Sequence, residues 1–204
     1  MDSDAGAFVR RTIDVTVAAV GLVLLAAPML LIGLAVRLTS HGPALFTQRR
    51  VGLGGRTFTL HKFRTTRTRI DPTALHGLII RRHREDERPN DLPSGHDPRL
   101  TPIGAVLRNT GLDELPQLIN LLRGDLSLVG PRPCLEWEAH LFPARFWQRF
   151  AVRPGLTGLW QLGSRPPGST LDMLQSDLIY VRTRNLRGDL SILTRTLTRT
   201  RARR

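Results

Sequence analysis

Two adjacent carboxylates, Asp113 and Glu114, head the stretch GLDELPQLINLLRGDLSLVGPRP, Gly111 to Pro133. The chain around them has 204 residues, 30 of them Lys or Arg, and a formal net charge of +13. Two roles fit the pair. Acidic side chains in the first turn of a helix complement its exposed N–H groups and its dipole, which is a structural task. A carboxylate held there also stays ionised, as a carboxylate nucleophile must, and a helix start attracts phosphate. Cations bracket the pair: Arg108 lies five residues before Asp113, and Arg132 nineteen after it, between Pro131 and Pro133. Arginine grips phosphate through paired hydrogen bonds. A hard divalent ion, Mg2+, bridges carboxylate and phosphate oxygens. The local pattern points to phosphoryl chemistry. Lys62 adds to it as the only lysine in an arginine-rich chain, where a compact ammonium replaces the usual guanidinium.

Such a basic balance calls for a partner of opposite sign: nucleic acid, an anionic membrane face or a phosphorylated substrate. The length fits one domain with an appendage. A single cysteine, Cys134, excludes an internal disulfide framework and reads as packing rather than as a nucleophile. His76, His83 and His96 show no ligand spacing, so zinc is not expected.

The appendage is a membrane segment. Val15 to Val36 holds no charge and as a straight helix would reach roughly 33 Å, enough to cross a bilayer core. It is too long for a signal-peptide core. Pro28 cannot donate a backbone hydrogen bond and kinks or breaks the helix. Arg10 and Arg11 precede the run, and Arg37, Arg49, Arg50 and Arg56 follow it. Cationic flanks favour the cytoplasmic side, and here both flanks are cationic. A helix that enters, bends at Pro28 and returns satisfies that rule; a kinked spanning helix is the alternative.

The elements that must position the dyad follow from periodicity. Gly52, Gly54 and Gly55 make a tight turn between two extended pieces, and the alternation over 57–63 predicts a strand of a β-hairpin. A short helix is expected over 72–87, then a loop to Asp97, and another short helix over 100–109. Leu115, Leu118, Ile119 and Leu122 share one helix face, with a start at Asp113 or Glu114 because Pro116 is tolerated only in a first turn. Residues 127–129 suggest a brief strand. An amphipathic helix is expected over 135–150, a loop over 152–161, a helix over 170–183, and a basic, solvated or lipid-facing tail from Arg184.

The order of these motifs is an apolar segment with a central proline, KFRT at 62–65, DPRLTPIGAVLRNTGLDELPQLINLLRGDLSLVGPRP at 97–133, and RPGLTGLWQ at 153–161. It resembles the bacterial sugar transferases, the monotopic polyprenyl-phosphate phosphoglycosyl transferases, over nearly the whole chain. The resemblance implies a mixed α/β, mainly helical fold. Residues 1–38 would form a re-entrant membrane anchor packed on a compact cytoplasmic catalytic domain, 39–197. That domain would carry the β-hairpin and interfacial amphipathic helices, with residues 198–204 as a basic tail. It places the protein on the cytoplasmic face of the bacterial inner membrane. It implies transfer of a sugar 1-phosphate from a nucleotide-sugar donor, commonly UDP-linked, to a polyprenyl phosphate acceptor among the membrane lipids, as the first membrane step of glycoconjugate assembly. In that scheme Asp113 attacks the sugar-bearing phosphate and expels UMP, and the polyprenyl phosphate then attacks the phosphoryl-enzyme. Glu114 is associated with Mg2+, and Lys62, Arg64, Arg108 and Arg132 would bind substrate phosphate. The chain departs from the family pattern at Ala27, where serine commonly precedes the proline, and at Thr66, where methionine is usual. Without the spanning helices of larger relatives, it looks like the minimal form.

A basic nucleic-acid-binding protein is the rival reading. The uncharged apolar run and the lack of any nucleic-acid-binding motif speak against it, and no nucleic acid partner is expected. A catalytically dead adaptor of the same fold is the third reading, against which stand the intact dyad and arginines. The sequence leaves the sugar, the polyprenol length and the oligomeric state open.

Overall fold

A computed structural model of the chain describes residues 4–67, 99–162 and 170–201. The helix expected over 72–87, the loop that follows it, and His76, His83 and His96 lie outside the described residues. The fold is mixed α/β and mainly helical.

Two helices open the chain, α1 (Asp4–Leu24) and α2 (Ala26–Thr39), bent by 64° at their junction. The break falls at Leu25, not at Pro28, which lies inside the first turn of α2. The reason is local: Pro28 has no N–H for the carbonyl of Leu24, four residues back, and its ring crowds that carbonyl. Helical bonding therefore ends one turn before the proline and resumes with Met29 N–H to Leu25 O at 2.8 Å. Among the described residues no single helix is long and apolar enough to cross a membrane; only the bent pair meets those requirements together. The pair leaves Val17, Val20, Val23, Leu24, Leu30, Leu31, Leu34 and Leu38 exposed.

Both ends of this apolar pair are tied to the rest of the domain. Arg11 donates to the carbonyls of Leu121 and Leu122 at 2.8 and 2.7 Å, and Asp14 accepts the Leu128 N–H at 2.9 Å. Arg10 pairs with Asp189 at 2.5 Å. At the far end Val36 packs with Phe63 and Leu107. Arg64, 4% exposed, donates to His41 O and Ser40 O at 2.7 Å each and to Ser40 Oγ at 2.8 Å. Helix C-termini leave carbonyls without intrahelical partners, and a buried guanidinium satisfies several at once.

A β-hairpin follows, β1 (Leu45–Val51) and β2 (Thr57–Phe63), in register from Leu45 opposite Phe63 to Val51 opposite Thr57. Helix α3 (Pro102–Thr110) is capped by Thr101 Oγ1, which accepts the Gly104 N–H at 2.9 Å. Gly104 has no substitute, because a Cβ there would stand 1.9 Å from Thr65 O. A 3-10 turn, Leu112–Glu114, leads into α4 (Gln117–Arg123), then β3 (Ser127–Val129) and β4 (Cys134–Leu135). β4 adds to the hairpin beside β1, antiparallel.

The helix expected over 135–150 is two pieces: α5 (Glu136–Leu141) and a 3-10 stretch, Ala144–Ala151. Pro143 separates them, since it cannot continue the α-helical bonding. The loop expected over 152–161 contains β5 (Gly155–Thr157), parallel to β3, and the short α6 (Leu159–Leu162). The glycines of this region permit backbone contact: a Cβ on Gly155 would lie 2.1 Å from Gly130 N, and one on Gly158 2.2 Å from Gly130 O. Helix α7 (Thr170–Thr183) matches expectation, and the basic tail is helical as α8 (Leu186–Arg201).

One core gathers Val51, Cys134, Phe142, Phe146, Phe150 and Leu174. Each buried aromatic of this kind contributes roughly 1.5–3 kcal/mol. Cys134 is fully buried and its thiol is pushed up by that burial, which fits packing rather than nucleophilic work. A second core joins Val129, Val152, Tyr180 and Ile192.

Replacing Arg64 with Met leaves the carbonyls of Ser40 and His41 without their donor at the end of α2. A loss of about 2–4 kcal/mol follows. A clear fall in melting temperature in detergent is expected, and an unchanged melt would contradict the clamp.

Candidate functional site

The dyad sits in the 3-10 turn, ahead of α4 rather than within its first turn. Pro116 explains the difference: it has no N–H to offer the Leu112 carbonyl, which takes the Leu115 N–H at 3.3 Å instead. Gly111, with φ of 74°, ends α3 and starts the turn. A left-handed residue at that joint is best supplied by glycine.

Across from the turn runs β2. Asn120, fully buried, ties α4 to its edge, donating to Thr59 O at 2.7 Å and accepting the His61 N–H at 3.1 Å. That fixes Lys62 against the dyad, with its Nζ donating to Glu114 Oε1 at 2.6 Å. Thr65, at the end of the same extended segment, accepts from Arg108 at 3.1 Å through its hydroxyl. Lys62 and Arg108 both draw the Asp113 pKa down, while Glu114 draws it up.

Asp113 itself is 8% exposed. Desolvation is the largest influence on it and holds its carboxyl above the ordinary range. Burial outweighs the flanking cations, an influence the expectation of a helix-start carboxylate had not included. A carboxylate raised in this way is more basic, and a perturbed group beside a cleft is a mark of function.

The cleft lies beside the dyad, about 170 Å³ in volume. Its walls include Lys62, Glu114, Arg50, Arg132, Trp160 and Met173. Asp113 adjoins this wall through Glu114 and does not itself line the cleft.

Arg132 is held by its backbone. Arg149 donates to the Arg132 carbonyl at 2.6 Å and to Asp177 at 2.5 Å, and Asp177 accepts the Arg132 N–H. Both partners are about 1% exposed, and Phe142 and Phe150 flank the Arg149 guanidinium at 5.0 and 5.4 Å. Burial raises Asp177 to about 6 despite this pairing. Removing one member of such a buried pair costs roughly 3–5 kcal/mol. With Pro131 and Pro133 on either side, Arg132 has little backbone freedom.

Of the residues picked from sequence, Asp113, Glu114, Lys62 and Arg108 meet around one turn, and Arg132 joins Lys62 and Glu114 at the cleft. Arg64 does not: its guanidinium is spent on the end of α2. Sequence reasoning missed Arg50, Asn120 and the Arg149–Asp177 pair. Strand alternation was the signal for Arg50, since it shares a face with Gln48 and opposes the exposed Arg49. The other three carry no local signal, because their partners are 61, 17 and 28 residues away.

Among the described residues no three His, Cys, Asp or Glu side chains form a metal cage. Mg2+ does not need one, since it takes one or two carboxylates and fills the rest with phosphate oxygens and water. Glu114 fits that pattern: it is 45% exposed, it lines the cleft, and its ion pair with Lys62 runs through Oε1.

The family described as bacterial sugar transferase matches residues 5–203. The chain is 38% identical to the exopolysaccharide production protein ExoY of Rhizobium meliloti, over 94% of this chain and 85% of that protein. It is 40% identical to the UDP-glucose:undecaprenyl-phosphate glucose-1-phosphate transferase of Caulobacter vibrioides, over 92% and 68%. It is 35% identical to the undecaprenyl-phosphate galactose phosphotransferase of Salmonella typhimurium, covering 93% of this chain but 40% of that longer protein. A cleft walled by Arg50, Lys62 and Arg132 next to a buried carboxylate, together with matches along the whole described length, leads to one conclusion: the chain belongs to the bacterial sugar transferase family and is an enzyme of the phosphoglycosyl transferase type.

Proposed function

We propose that this enzyme moves a sugar 1-phosphate from a UDP-sugar to a membrane polyprenyl phosphate through a covalent intermediate on Asp113. The observation that carries this reading is the setting of Asp113: a buried, basic carboxylate beside Lys62 and Arg108, one residue from the wall of a cationic cleft. Two of these relatives are named as an undecaprenyl-phosphate glucose-1-phosphate transferase and an undecaprenyl-phosphate galactose phosphotransferase.

In the first half-reaction an Asp113 oxygen bonds to the sugar-bearing phosphorus. The bond from that phosphorus to the bridging oxygen breaks, and its electron pair leaves with UMP. In the second, an oxygen of the polyprenyl phosphate bonds to the same phosphorus, and the aspartyl oxygen departs with its pair as carboxylate. No net proton moves. Such transfer depends on positioning and charge compensation more than on acid–base chemistry. Lys62 keeps Glu114 in place by ion pairing, and Arg108, oriented by Thr65, offsets negative charge at Asp113. Glu114 would hold Mg2+ together with substrate phosphate. When bound, the ion polarises phosphoryl oxygens as a Lewis acid.

The membrane-facing reading rests on the α1–α2 pair. Exposed apolar side chains recur along both helices from Val17 to Leu38, and both ends of the pair are tied to one body, through Arg11 and Asp14 at one end and Arg64 at the other. That supports a re-entrant anchor on the cytoplasmic face of the inner membrane. Val106 and Leu112, exposed on either side of the α3–turn joint, give a lipid acceptor an apolar approach to Asp113.

Asp113→Asn is expected to abolish UMP release from UDP-sugars in detergent-solubilised enzyme; release at the wild-type rate would contradict the mechanism. The pH profile tests the same carboxylate. Protonated Asp113 cannot attack, so activity falls as pH drops through a pKa lying above the ordinary 3.8. Glu114→Gln removes a charge that raises this pKa, so the acid limb of the residual activity shifts to lower pH. A shift to higher pH would count against the electrostatic account. The same variant is expected to weaken the dependence of rate on added Mg2+, measured by titration after chelation.

A further inference from the structure

Lys62, Arg50 and Arg132 line the cleft, and Arg108 stands outside its wall beside Thr65. Lys62 and Arg108 are the cations felt by Asp113. Arg50 and Arg132 act on each other instead.

Arg50 reaches the cleft from β1. Its Nη1 donates to Pro133 O at 2.9 Å and its Nη2 to Gln48 Oε1 at 2.7 Å. Its Nε–H is buried with no hydrogen-bond partner among the described residues. Burial, and after it the neighbouring Arg132, lower its pKa to about 10. Arg132 has its backbone fixed by Arg149 and Asp177, and among the described residues its guanidinium meets the buried Glu138 Oε1 at 3.8 Å and Met173 Sδ at 3.9 Å. Two guanidiniums thus face one cleft, and the buried carboxylate that acts on both, Glu138, offsets one positive charge of the two. Buried like charges are costly unless an anion joins them. Each guanidinium also presents planar donors that suit phosphate.

The donor carries two phosphates, and the acceptor one. Displacement at phosphorus runs roughly in line, so the leaving oxygen lies on the side opposite the attacking Asp113. In the second half-reaction the acceptor oxygen must enter from the side that UMP has vacated. One seat therefore serves both phosphates in turn. We infer that Arg50 and Arg132 form that seat: they hold the phosphate departing with UMP and then the phosphate of the polyprenyl acceptor, while Lys62 and Arg108 hold the phosphoryl group under attack. This rests on the proposed transfer reaction and adds Arg50 as a substrate-binding residue. The electron pair released as the phosphorus–oxygen bond breaks stays on the UMP phosphate, where the two guanidiniums compensate its charge without a proton.

The test uses the full-length enzyme in detergent, with Arg50→Gln and Arg50→Lys checked for native melting temperature. UMP binding is measured by calorimetry, and steady-state kinetics give the UMP inhibition constant and the KM for polyprenyl phosphate. Loss of one charged hydrogen-bond donor should weaken UMP binding and raise the acceptor KM together, each by about 10- to 100-fold. Arg50→Lys should fall between wild type and Arg50→Gln. Arg50→Gln combined with Arg132→Gln should lose less than the product of the single effects, because both contact one phosphate. UMP affinity and acceptor KM unchanged in a folded Arg50→Gln, or only one of the two altered, overturns the shared seat while leaving the transfer reaction intact. A wild-type enzyme that releases UMP from no donor and binds none overturns the reaction itself, and the seat with it.

Discussion

A carboxylate removed from water needs positive charge within reach, and that requirement organises this molecule around Asp113. At 8% exposure its ionised form is penalised by burial, and Lys62 and Arg108 return part of that cost. The balance has a chemical use. A fully solvated aspartate would be a weak nucleophile, and a fully compensated one would be weaker still. For the proposed attack on phosphorus, burial with partial compensation would keep the oxygen basic while leaving cations ready for the phosphoryl charge.

The placement of those cations comes from distant parts of the chain. Lys62 arrives on β2, whose edge is pinned by Asn120 of α4. Arg108 arrives on α3, which approaches the Thr65 backbone closely because Gly104 has no side chain. Arg132 arrives on a proline-bounded turn locked by Arg149 and Asp177. Buried polar groups of this kind fix geometry through their hydrogen bonds, and here they form the joints between elements. The same principle joins the apolar helix pair to the catalytic body, through Arg11 and Asp14 at one end and Arg64 at the other.

Much of this was legible before any coordinates. Apolar residues located α3 and α4, the helix over 170–183 was expected where α7 lies, and glycines located the hairpin. What escaped has physical causes. Pro143 divides an aromatic-rich segment whose periodicity reads as continuous helix. β5 is three residues long and exists only because β3 lies beside it, so no local pattern announces it. Pro28 was correctly read as a breaker, but its effect is felt at the carbonyl four residues back, so the bend sits at Leu25. Arg64 was expected to bind phosphate through the family resemblance, whose KFRT motif contains it. The extended chain beyond β2 instead sends its guanidinium to the end of α2, a partner 24 residues upstream. Electrostatics was the hardest to foresee: the sequence shows the charges near Asp113 but not its burial.

The most direct test of the covalent account is mass spectrometry of enzyme incubated with a UDP-sugar in the absence of acceptor, quenched in acid and digested. The account predicts an added sugar phosphate on the peptide containing Asp113, removed when polyprenyl phosphate is supplied before quenching. UMP released in a first-turnover burst with no adduct, or with the adduct on another residue, would contradict it.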